Sequence, residues 1–157
     1  MKTCLVAGRA MLAVLMVFVF AGSVGAAEKA TKDECVAKVE QAAKLIQQIG
    51  MKAALEKIMD ESGPYRWKDS YVFCMDEDMG RLLAHPMTTF IGFPMKTWKD
   101  ADGKLPFVRV LDEIQTREKG WVRYNYQAPG AESPKMKATY YLKVPGQKAV
   151  IAAGYME

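Results

Sequence analysis

Histidine is nearly missing from this chain: His85 is the only one in 157 residues, and cysteine occurs just three times. One histidine cannot build a zinc site without cysteine partners, and the Cys35-to-Cys74 spacing fits no zinc signature. No C-x-x-C-H motif is present, which excludes covalent haem. The turn "DADGK" begins like a calcium loop but lacks the third acid, and Leu111 stands where the closing glutamate would be. Neither a metal nor a cofactor is therefore expected. Internal repeats, low-complexity stretches and a second domain are absent too, and the length suits one domain.

Past the first twenty residues no long apolar run recurs. The first stretch itself has the three parts of a secretory signal: "MKTCLVAGR" with Lys2 and Arg9 and no acid, the apolar "AMLAVLMVFVF", and the small-residue "AGSVGAA". Cleavage is expected after Ala26 or Ala27, giving a signal peptide over 1–27. Left uncleaved, the segment would be an inner-membrane anchor, marginal in length for about 30 Å of hydrocarbon. Cys4 precedes the apolar core, so it is no lipoprotein acceptor. Losing Lys2 and Arg9 takes the formal charge from +4 to +2, nearly balanced. Charge and compartment both argue against nucleic acid as a partner. The expected location is periplasmic or secreted.

The rest, 28–157, reads as one domain. A helical segment over 31–62 opens on a capping box of Thr31 and Glu34. Cys35, Val39, Ala42, Ile46, Ile49 and Ala53 form its apolar stripe. Gly50 is a point of bending or breaking, and Gly63-Pro64 ends the segment. Alternation then replaces helical spacing. "YVFCMD" and "RLLAH" flank an acidic turn as a hairpin, and residues 86–104 form a long connection. "PFVRVLDEIQTREKG" is a short helix; "WVRYNYQ", "MKATYYLKV" and "KAVIAAGY" are three further strands. Helix first and an antiparallel sheet of about five strands afterwards is an α+β plan. The long helix covers one sheet face; the connection covers the other, where a cavity is expected.

Cys74, Asp76, Glu77, Asp78 and His85 lie close together in sequence, a tempting catalytic set. A nucleophile needs a base within hydrogen-bond reach and a third group to orient it. Here the acids sit in a turn that faces water, so no enzyme is expected.

The pieces "YVFCMDEDMGRLLAHP", "IGFPMKTWKDADGK" with "PFVRV", "KGWVRYNY", "KATYYLKVPG" and "AAGY" resemble, in order, a single Cache domain of the second single-domain type. The resemblance implies a PAS-like antiparallel sheet, a long N-terminal helix and a small-molecule pocket under the connection. Members are sensor portions of chemoreceptors and histidine kinases, binding small carboxylates, amino acids or related metabolites. This chain shows no second span, kinase or methyl-accepting domain, so a free-standing binder is expected. Its partners would be a small anionic metabolite and, by ligand presentation, a membrane receptor or sensor kinase. The alternative is a non-binding periplasmic protein-interaction module.

Site residues follow from parity and from the resemblance together. Lys137 sits mid-strand, where a buried ammonium needs an anion to offset desolvation; "KATY" also matches the family's lysine, hydroxyl and tyrosine run. Lys137 is thus the expected counter-charge, with Tyr124, Tyr126 and Thr139 or Tyr140 adding hydrogen bonds. His85, in the strand-ending His-Pro, is either a structural cap or a polar pocket group. Trp67, Phe73, Trp98, Phe107 and Trp121 would form the apolar wall. Cys35 and Cys74 are a candidate disulfide in an oxidising compartment. A straight helix would carry Cys35 well past the hairpin; a break at Gly50 would relieve that.

Overall fold

The computed structural model describes residues 28–157; the expected signal peptide lies outside them. Helix α1 (Lys32–Ile49) starts as its sequence dictates: the Glu34 N–H donates to Thr31 Oγ1, and the Thr31 N–H donates to Glu34 Oε2. The segment is two helices, not one. Gly50, at φ +82 and ψ 159, closes α1 and opens α2 (Met51–Met59), a backbone region that only glycine enters without strain. No helix among the described residues is long and apolar enough to cross a membrane.

The sheet has six strands where the alternation predicts about five. The addition is β1 (Arg66–Trp67), two residues long and too short to carry a pattern; it pairs with β2 (Ser70–Asp76). Strand β3 (Leu82–Ala84) also pairs β2, and the sheet continues through β6 (Ala149–Met156) and β5 (Lys135–Lys143) to β4 (Lys119–Tyr126), all antiparallel. Helix α3 (Pro106–Glu113) lies on the other side, its Phe107, Val110 and Leu111 buried. The α+β, PAS-like plan stands.

Strand parity divides the interior into two cores. Val72, Cys74, Tyr140, Ile151 and Ala153 pack with Val39, Ala42 and Ile46 of α1. Their neighbours Phe73, Tyr141, Val150 and Ala152 pack with α3 on the opposite face. The β1–β2 turn anchors the start of α1: Lys68 Nζ lies 2.8 Å from Glu34 Oε1, and Asp69 Oδ1 accepts from the Ala30 N–H at 2.6 Å. The lysine beside it holds the Glu34 carboxyl down at about 2.

The candidate disulfide is corrected by this arrangement. Cys35 and Cys74 are both free and both fully buried in the helix–sheet core. Cys35 is beside Ser70 at the start of β2, and Cys74 is four residues further along. At about 3.3 Å per residue Ser70 and Cys74 are roughly 13 Å apart along the strand, twice what a disulfide spans. The break at Gly50 comes too late in the helix to close the gap.

Candidate functional site

Between the α3 face of the sheet and the 86–104 connection lies a cavity of about 380 Å³. Its sheet side is set by register. Tyr124 pairs with Lys137 across β4 and β5, and Tyr126 follows two residues on, so all three side chains share one face. Tyr71 and Phe73 of β2 project to the same side, with His85 just beyond β3.

Lys137 is the centre of this group. Its side chain is 7 % exposed, and Nζ lies 4.5 Å from the Tyr126 ring centroid and 5.1 Å from that of Tyr71. No carboxylate among the described residues bonds it. Burial lowers its pKa to about 8, against weak opposing help from Cys35 and Asp69. Two aromatic faces soften the desolvation of an ammonium but do not replace an anion.

His85 is wired into the same wall. Its Nδ1 lies 3.0 Å from the Met87 N and 3.3 Å from the Met87 carbonyl O, and its Nε2 lies 3.3 Å from the Tyr71 hydroxyl. Burial, and then the Lys137 charge, push its pKa down. The Nε2 contact holds the Tyr71 hydroxyl at the cavity wall, where it can both donate and accept. Burial raises the Tyr71 pKa, which keeps the hydroxyl protonated. Deeper, the Tyr124 hydroxyl shares a 2.9 Å hydrogen bond with Thr139 Oγ1.

The apolar wall is a chain of ring contacts. Phe73 meets Phe107 edge-on at 6.1 Å, Phe107 meets Trp98 at 5.8 Å, and Trp98 meets Tyr124 at 5.3 Å. Of the residues expected from sequence, Lys137, Tyr124, Tyr126, His85, Phe73, Trp98 and Phe107 come together here. Thr139 lies behind Tyr124 and orients it. Three do not belong. Tyr140 and Trp121 pair directly, their rings 5.2 Å apart, and Trp67 is near Lys38. All three face α1: Trp121 and Tyr140 have the opposite parity to Tyr124 and Lys137 on their strands, and Trp67 pairs with Ser70 of β2.

Sequence reasoning missed Tyr71 as a site residue and missed the outer lip, Met87, Phe90 and Phe93. Tyr71 shares parity with Phe73, a signal that was present. The lip residues sit in and beside short 3-10 turns, Thr88–Phe90 and Met95–Thr97, which have no periodicity to read.

The tempting catalytic pair is taken apart by the sheet. Cys74 points into the α1 core while His85 faces the cavity. Burial pushes the Cys74 thiol up to about 12, the reverse of an activated nucleophile. Asp76 accepts from the N–H groups of Asp78 and Met79, which is turn chemistry.

A family model described as single Cache domain 2 matches residues 25–157. The chain belongs to that Cache family. Solved structures of similar fold include a Cache chemosensory domain described as recognising carboxylic acid, 20 % identical, covering 78 % of this chain and 90 % of that one at a TM-score of 0.62. The periplasmic sensor domain of a chemotaxis protein is 21 % identical, covering 76 % and 85 % at 0.55. A methyl-accepting chemotaxis protein from Vibrio parahaemolyticus is 19 % identical, covering 78 % and 86 % at 0.62. No curated protein matches. This Cache domain thus shares its fold with chemosensory domains.

Proposed function

We propose that this Cache domain is an extracytoplasmic sensor module that binds a small organic anion, a carboxylate, in the cavity under the 86–104 connection. One observation carries the reading: Lys137 offers a buried ammonium to the cavity with no carboxylate bonded to it. A group held at that cost needs an anion, and a ligand is the remaining source. Tyr71 and Tyr126 add hydroxyl donors beside it. Among family relatives the description of one, recognition of carboxylic acid, agrees with this chemistry. After export the binder would present its ligand to a membrane receptor or sensor kinase.

The test is a thermal-shift screen of carboxylates, amino acids, amines and purines on the wild type and on Lys137→Met. Carboxylates should raise the wild-type melting temperature by mass action and leave Lys137→Met unmoved. A screen flat for every class would overturn the reading in favour of a non-binding interaction module. Equal shifts in both proteins would remove Lys137 from the site.

A further inference from the structure

Two lysines are the cationic side chains of the cavity lining. Lys137 is its interior charge; Lys99, the other lysine in the lining, is exposed at the rim. No aspartate or glutamate lines it among the described residues. An α-ammonium group entering beside a bound carboxylate would find no anion and would sit close to the positive charge of Lys137. Desolvating such a charge without a partner is costly. A second carboxylate would reach only Lys99, and a water-exposed lysine contributes little.

The lip is apolar and unfinished. Met87, Phe90 and Phe93 line the cavity and yet are 44 %, 41 % and 38 % exposed. Phe90 stacks edge-on against His85 at 5.4 Å and tilts against Phe93 at 6.5 Å, so the lip is a built aromatic rim. A two- or three-carbon acid held at Lys137 would leave this rim in water. The volume, about 380 Å³, divided by the ~30 Å³ share of one liquid water, leaves room for roughly a dozen non-hydrogen atoms. Each buried methylene is worth roughly fourfold in affinity.

We propose that the cavity takes an amine-free monocarboxylate whose apolar body, of about eight to ten carbons by that volume, runs from Lys137 to the lip of Met87, Phe90 and Phe93. The inference rests on the anion-binding reading above and narrows it. Aromatic and aliphatic bodies share the chemistry, and the ring-lined wall accommodates either.

Calorimetry on the purified full chain tests it with four probes: acetate, octanoate, 3-phenylpropionate and L-phenylalanine. The last two differ by one ammonium group. Octanoate or 3-phenylpropionate should bind at least tenfold tighter than acetate, and 3-phenylpropionate at least a hundredfold tighter than L-phenylalanine. Phe90→Ser, a change at a half-exposed lip position, should weaken the long acids several-fold more than it weakens acetate. Acetate or L-phenylalanine binding as tightly as the long acids, with Lys137→Met abolishing it, would overturn this inference and keep the anion site. Binding of every probe indifferent to Lys137→Met, or no binding at all, would overturn both.

Discussion

Gly154 leaves the space that the Lys137 side chain fills: a Cβ at residue 154 would come within 2.8 Å of Lys137 Cε. It would also collide with Thr139 Oγ1, the partner of Tyr124. One missing methyl group on β6 therefore sets the position of the ammonium and of the hydroxyl pair beneath it.

Gly154→Ala should accordingly disturb the site more than the fold. Overpacking of this kind costs about 1–3 kcal/mol, and the displaced Lys137 should lower carboxylate affinity by at least tenfold. Denaturant titration and calorimetry on the same protein separate the two effects; unchanged affinity would contradict the placement.

Proton linkage gives a second expectation. Lys137 has a pKa of about 8 in the ligand-free domain, below the ordinary 10.5, and a bound anion raises it. Below pH 8 the ammonium is present before and after binding, so affinity is flat. Above pH 8 binding must take up a proton, and affinity should fall by up to about tenfold per unit. In the ligand-free domain unfolding takes up that same proton between pH 8 and 10.5, so the contribution of Lys137 to stability rises with pH across this window. Calorimetry in buffers of different ionisation enthalpy reads the uptake directly; affinity constant to pH 9.5 would refute it.

Gly120 faces a different tyrosine. It pairs with Tyr141, whose ring Cζ would be 2.7 Å from an added Cβ and whose hydroxyl would be closer still. That hydroxyl donates to Glu113, which also accepts from Arg109 Nε at 2.8 Å. Gly120→Ala should cost about 1–3 kcal/mol by forcing apart a fully buried ring. A denaturation midpoint equal to wild type would show that the strand yields freely.

The two buried thiols give a fourth. Burial holds Cys35 up at about 11 and Cys74 at about 12, so neither supplies thiolate at neutral pH. Iodoacetamide should label neither in the native domain and both in denaturant, since only the thiolate reacts. An exported protein two hydrogens lighter than its sequence would establish a bond the fold does not provide for.

Wherever one physical rule governed, the sequence was legible. Period-two alternation put Tyr124 with Tyr126 and Lys137 with Thr139 on single strand faces, and capping chemistry located the start of α1 at Thr31. Trp121 was enrolled for being aromatic and Tyr140 for its place in the KATY run, although their parity pointed the other way; the alternation was the stronger evidence. Trp67 had no alternation to consult, because β1 is two residues long. Phe90 and Phe93 were illegible for a different reason: backbone bonds such as that from the Gly92 N–H to the Leu82 carbonyl fix their turns, and such bonds leave no side-chain pattern. The lone histidine turned out to be a hydrogen-bond partner of Tyr71.

Ala152, Ala153 and Gly154 give β6 almost no side-chain thickness, and all three are buried. Alanine 152 belongs to the cavity-side core and alanine 153 to the helix-side core. The strand is therefore a thin, stiff partition with α1 resting on one side and the ligand chamber on the other. Close-packed interiors transmit strain because they have no slack to absorb it. A change in sheet twist when the chamber fills would reach α1 across the width of a single peptide backbone.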